Sequence, residues 1–346
     1  MEKISDFKTV CFKIGLIMTV FFISRMGCSF AIEFMYRILP DNTSATTLYV
    51  GSLVLQDLFL YIIPIIAAVI IMKVKNPLSL YKKPPRIAKA LGNFPAMYGL
   101  GQLTNYLTLI AVWVFSNFTP DNIELEKSFG SMAAMMPPNF ICGIALAVRM
   151  IFSAAIYEEF FARGIILKSL KPYGTGFAIM VSGILFGLMH GNFQQLFYAT
   201  VVGIVLGYIY VQTDSLLIPT ILHAVFNSIS AVMLLFMSTD TLQNFMMGDF
   251  MDGIPDNNMM VMAIFSMFFV LTLGLMIAGM ALAFKRIFRF KIYKVTNTWQ
   301  EVGTGKKAAL FFTRIPIILM CVLTIDAFAG SIIFQKIAGF IWGTQT

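Results

Sequence analysis

Two histidines, two adjacent glutamates and one arginine carry most of the chemistry this chain could perform. His190, in FGLMHGNF, and His223, in ILHAVFN, are its only histidines in 346 residues. Glu158 and Glu159 stand side by side in YEEFFARG, with Arg163 four residues further on. All lie in apolar stretches, where a charged group costs several kcal/mol unless it is paired or used. Glu159 and Arg163 share one helix face, with the acid on the N-terminal side that favours an ion pair. Glu158 is turned by about 100° from its neighbour. One carboxylate can therefore be held by arginine while the other stays open as a general base for water. A charge cluster at the helix end near Lys168 is the plainer alternative. Glu158 lies about ten residues, or about 15 Å, from that end, which is too deep for easy snorkelling.

The other two constellations have the same spacing. Phe186 precedes His190 by four residues, and His223 precedes Asn227 by four. An amide offers two N–H donors and an imidazole one, which together suit a developing oxyanion. Packing, or hydrogen bonds that join helices in lipid, is the plainer reading of each pair alone.

The elements that must position these groups are membrane helices. The chain is 58% hydrophobic and 12% charged, against about 25% charged in a soluble domain. Continuous apolar runs of about 20 residues predict an all-α, polytopic membrane bundle, and exclude the alternating strands of a barrel. Eight or nine spans are expected, near residues 10–37, 48–72, 91–117, 140–168, 175–190, 194–212, 216–237, 258–284 and 315–340. The net charge of +8 gathers in segments 73–89 and 285–314 and near the N-terminus. That is the pattern of a topology signal, so nucleic acid is not an expected partner and these regions face the cytoplasm. The stretch 286–294, RIFRFKIYK, is best read as a solvated loop, though it could also meet anionic lipid. Counted from the cytoplasmic helix ends, Glu158 is about 15 Å deep, His223 about 12 Å and His190 about 22 Å. His190 matches the others only if its helix tilts or starts below the surface. Arg25, Glu33, Asp57, Arg149 and Asp326 are expected to form structural pairs between helices. The four cysteines show no metal or disulfide spacing.

The order E-E-x-x-x-R, F-x-x-x-H, H-x-x-x-N on three neighbouring spans resembles the CPBP family of intramembrane proteases. These are the type II CAAX prenyl endopeptidases and their bacterial relatives, also called the Abi family. The resemblance covers about residues 140–235. It implies a catalytic core at 140–238, between N-terminal helices at 1–139 and C-terminal helices at 239–346. It also implies a bacterial cell-membrane protein, and the basic segments put its N-terminus in the cytoplasm. Its substrate would be a peptide or protein, lipidated or not, cleaved at a site that opens from the cytoplasmic side, with membrane lipid as the other partner. By resemblance, Glu158 activates water with His190 as its partner. His223 and Asn227 stabilise the oxyanion, and Glu159 and Arg163 orient Glu158. No cofactor is favoured. Zinc on Glu158, His190 and His223 is the alternative, weakened by the absence of HExxH and by ligands drawn from three helices. Two other functions compete: a non-catalytic immunity or scaffold protein of the same fold, and an ion-coupled transporter. The transporter lacks the expected repeat symmetry.

Overall fold

The computed structural model describes residues 2–82, 91–118, 139–237, 259–287 and 302–328, with 336, 337 and 339 near the C-terminus. Residues 119–138 and 238–258, and the basic stretch 288–294, lie outside the described residues. Among the described residues every regular element is a helix. They are α1 (Glu2–Ile38), α2 (Ala45–Asp57), α3 (Ile63–Met72), α4 (Phe94–Phe118), α5 (Phe140–Val148), α6 (Ala155–Glu159) and α7 (Lys168–Leu170). There follow α8 (Thr175–Met189), α9 (Phe193–Thr213), α10 (Leu217–Met237), α11 (Met259–Ile287), α12 (Thr304–Phe312) and α13 (Ile315–Phe328). α2 and α3 are one continuous run through a π-helical turn, Leu58–Ile62. α5, α6 and α7 are likewise joined by π segments at Arg149–Ala154 and Phe160–Leu167.

The chain is a multi-pass membrane protein. Among the described residues, six helical runs are long and apolar enough to cross a bilayer, or seven if α12 and α13, bent by 73°, count as one. The sequence suggests eight or nine. Neither α4, which carries Gln102, Thr104 and Asn105, nor α8, with 15 residues, is among the six. Apolar side chains such as Met267, Val270, Leu271 and Ile277 on α11 stand exposed. Lipid is the solvent that suits them.

α1 lies inside the bundle. Its Phe7, Cys11, Ile14, Met18, Phe21 and Phe22 are buried in one apolar cluster that also holds Phe161, Ile165 and Ile166 of the glutamate-bearing run. α8 and α9 are drawn together by Gly183 and Gly187, the small residues four apart that let membrane helices touch. A Cβ at Gly187 would stand 2.1 Å from Thr200 Oγ1 and 2.5 Å from the Leu196 carbonyl oxygen. α8 ends at His190 because Gly191 takes φ +63°, a left-handed geometry that glycine adopts without strain. The Asn192 side chain then caps α9 by accepting from Gln195 N at 2.8 Å.

One end of the bundle is basic. There Phe7 packs on Tyr173 with ring centres 4.9 Å apart. Leu216 N donates to the Leu80 carbonyl at 2.8 Å, the Ser215 hydroxyl donates to the Lys82 carbonyl, and Lys82 and Lys171 flank Asp214. The N-terminal, 73–82, 171–174 and 214–216 segments therefore share one side of the bundle. Of the intramembrane charges, Arg149 pairs with Asp57 across helices at 2.6 Å. Glu33 instead pairs within α1, with Arg37 one turn away at 2.7 Å, as i,i+4 neighbours on a helix can.

Candidate active site

The two adjacent glutamates separate as their helical offset predicts. Glu159 and Arg163 are completely buried and joined at 2.7 Å. The second arm of the guanidinium donates to the Gly203 carbonyl of α9 at 2.8 Å, and its face lies 4.5 Å from the centre of the Phe186 ring. The same Glu159 oxygen also meets His223 Nδ1 at 2.9 Å. Glu159 thus joins two helices, with its charge balanced by arginine.

Glu158 points elsewhere and keeps 15% of its side chain exposed. His190 Nε2 and His223 Nε2 each lie 3.9 Å from its Oε2. The two imidazoles are held by their other nitrogens. His190 Nδ1 is 2.8 Å from the Phe186 carbonyl, which can only accept, so Nδ1 carries the proton. His223 Nδ1 likewise donates to the Glu159 carboxylate. In the neutral rings both Nε2 atoms are therefore acceptors turned towards a carboxylate. Three acceptors spaced beyond direct contact are the setting for a bridging water or a shared proton. On its Tyr61 side Glu158 borders a cavity of about 10 Å³, lined also by Tyr157, Phe161 and Met189 and by neither histidine, which is about the least space that holds one water.

Phe186 is more than a packing residue. Its ring meets His190 edge-on at 5.1 Å and His223 at 5.7 Å, while Arg163 covers it. The F-x-x-x-H spacing thus seats both imidazoles. Asn227 donates Nδ2 to the Met150 carbonyl at 2.8 Å, inside the π segment where the carbonyl ladder is shifted. Its second N–H is not committed by that bond.

Five of the residues singled out by the sequence, Glu158, Glu159, Arg163, His190 and His223, lie within 3.9 Å of one another in a chain of contacts, while Asn227 stands one turn beyond His223 and bonds Met150. The depth mismatch expected for His190 does not keep it away. Both histidines reach the same Glu158 oxygen, so residue counts from the helix ends overstate the offset. Two partners were not foreseen. Tyr61 donates to Glu158 Oε1 at 3.0 Å, and Arg25 reaches the Met189 carbonyl at 3.5 Å and packs on Gly191. Neither belongs to a repeating motif, and Arg25 was expected only as a structural pair. Among the described residues, no group of three or more His, Cys, Asp or Glu side chains is arranged to hold a metal ion.

Residues 139–229 match the family model of the Rce1-like type II CAAX prenyl endopeptidases. The matched segment coincides with the helices that carry the carboxylates, the imidazoles and Asn227. No curated protein and no solved structure matches the chain.

Proposed function

We propose that this chain is an intramembrane endopeptidase that hydrolyses a peptide bond with a water activated by Glu158. One observation carries the reading: a partly open carboxylate faces two imidazoles at 3.9 Å, while its neighbour is locked in a buried ion pair. A structural charge cluster would have paired both. Glu158 takes a proton from water as the hydroxide adds to the carbonyl carbon, and His190 orients that water through Nε2. The oxyanion forms near His223 and Asn227. With its Nδ1–H kept on Glu159, His223 can donate to the oxyanion from Nε2 only as the doubly protonated ring, beside the uncommitted N–H of Asn227. Glu158 returns its proton to the departing amine.

The matched family supports a CAAX-type substrate carrying a prenyl group. A leader peptide or another membrane protein fits the same chemistry. The shared basic end of the bundle supports a cytoplasmic N-terminus and a site entered from that side. The mechanism needs no metal, so a zinc chelator leaves activity unchanged. Loss of activity on chelation, restored by zinc, would transfer the role to a metal held by Glu158, His190 and His223.

The test compares terminal peptides in membranes holding wild-type, Glu158→Ala or His190→Ala protein. A product terminus present with wild type and absent with both variants is expected, with each variant inserted and folded. Unchanged termini with Glu158→Ala would refute the mechanism. A cellular phenotype preserved by Glu158→Gln would favour the non-catalytic scaffold.

A further inference from the structure

Glu158 has a partner from outside the matched segment. Tyr61 sits in the π turn Leu58–Ile62 and is 8% exposed. Its hydroxyl donates to Glu158 Oε1 at 3.0 Å, the oxygen that the histidines do not face. The ring has two further contacts. It stacks on Tyr157 with centres 5.4 Å apart and planes 18° from parallel. The Arg149 guanidinium carbon lies 5.2 Å from its centre, and Arg149 is anchored to Asp57, one turn before Tyr61, at 2.6 Å. A π turn widens the helix by one residue, and here it brings Asp57 and Tyr61 together over Arg149 and Glu158.

We infer that Tyr61 is a positioning residue for the hydrolysis, held by the Asp57–Arg149 pair, and that it orients the Glu158 carboxylate so that Oε2 faces the water. The inference rests on Glu158 being the base. A carboxylate has two oxygens and a freely turning terminal torsion. With one oxygen bonded to a rigid phenol, the other is confined to the face of His190 and His223. Removing the phenol oxygen leaves the charge, the histidines and any substrate contacts in place, and loosens only the aim of Oε2. The phenylalanine variant keeps both the stacking and the cation–π contact. Misplacement of a reacting group by about 1 Å lowers rate by about 100-fold, with little effect on substrate binding.

The experiment uses the full chain in lipid nanodiscs, mixed with membranes from cells that lack it. Wild type, Tyr61→Phe, Asp57→Asn and Glu158→Gln are compared by quantifying product termini over time and over a dilution series of substrate membranes. Tyr61→Phe is expected to lower the maximal rate about ten- to a hundredfold, with half-saturation within about twofold and an unchanged melting temperature. Asp57→Asn, which keeps the phenol but loosens its anchor, is expected to give a smaller fall of the same kind. A Tyr61→Phe rate equal to wild type, while Glu158→Gln is inactive, overturns the positioning role and leaves the base intact. A rise in half-saturation at unchanged maximal rate overturns it too, because Tyr61 would then be a substrate contact. Activity in Glu158→Gln removes the base itself, and the inference with it.

Discussion

His223 Nδ1 lies 2.9 Å from the Glu159 oxygen that Arg163 also holds at 2.7 Å, so a buried ion pair and a candidate catalytic imidazole share one atom. The two adjacent glutamates should therefore fail differently. Arg163→Ala leaves a buried carboxylate short of its counter-ion, a loss of about 3–5 kcal/mol. Glu159→Ala strands the arginine and frees His223. Both are expected to lower melting temperature in detergent and the yield of inserted protein. Glu158→Gln, at a partly exposed carboxylate, should melt as wild type does and still fail to cleave. Equal melting temperatures for all three variants would show that the Glu159–Arg163 pair is not structural.

Asn227 separates a joining role from a chemical one. Its bond to the Met150 carbonyl is a single hydrogen bond, worth about 1 kcal/mol, whereas loss of an oxyanion donor lowers kcat by about 100–1,000-fold. Asn227→Ala is expected to show the large kcat loss with a small change in melting temperature. Asn227→Asp should be no better, because a carboxylate repels the oxyanion. If alanine lowers stability while activity survives at low temperature, the amide only joins α10 to the 149–154 segment.

These predictions mark where the sequence was readable. The division of labour between Glu158 and Glu159 follows from side-chain rotation along a helix, and it needs only their adjacency and the arginine at i+4. The seat of His190 is equally local: Phe186 supplies both the carbonyl and the ring. Tyr61 was not readable, because its contact depends on a π turn in a distant span. A π turn is a shift in main-chain bonding with no residue signature. LFLYI and FFARGIIL look like any apolar helix. The depth of His190 was misjudged for a related reason. Counting 1.5 Å per residue assumes that all helix ends are level, and α8 is a 15-residue helix fixed by its glycines to α9 rather than by the bilayer.

Those glycines give the third prediction. Gly187→Ala would put a methyl 2.1 Å from Thr200 Oγ1 and 2.5 Å from the Leu196 carbonyl. The hydroxyl can turn away, but the backbone oxygen cannot, so α8 and α9 must part. Such overpacking costs about 1–3 kcal/mol. His190 is three residues further along α8, so cleavage should fall together with melting temperature. Thr200→Ala in the same chain removes the hydroxyl clash alone and should restore only part of either. Full restoration would show that the Leu196 carbonyl is not the limiting contact.

The last prediction concerns the basic end, where Asp214 takes hydrogen bonds from Lys82 at 2.5 Å and lies 3.5 Å from Lys171. The bond from Lys82 holds its carboxyl below the ordinary value of 3.8. A carboxyl whose proton affinity is lower in the folded state stabilises the fold fully above its unfolded value, and this stabilisation is lost as pH falls through the folded one. The contribution is therefore present at neutral pH and begins to fade below about pH 4. The Asp214 side chain is 60% exposed, so the pair is worth at most about 1 kcal/mol and is weakened by salt. Asp214→Asn should melt slightly below wild type at pH 7, and the gap should narrow as pH falls below about 4 or in about 1 M salt. The turn starts α10, less than three turns before His223, and is also held by Ser215 on the Lys82 carbonyl and Leu216 on Leu80. Those neutral bonds do not titrate, so Asp214→Asn should keep most of its cleavage activity. A large loss of activity at pH 7 would mean that the ion pairs, and not the neutral bonds, set the position of His223.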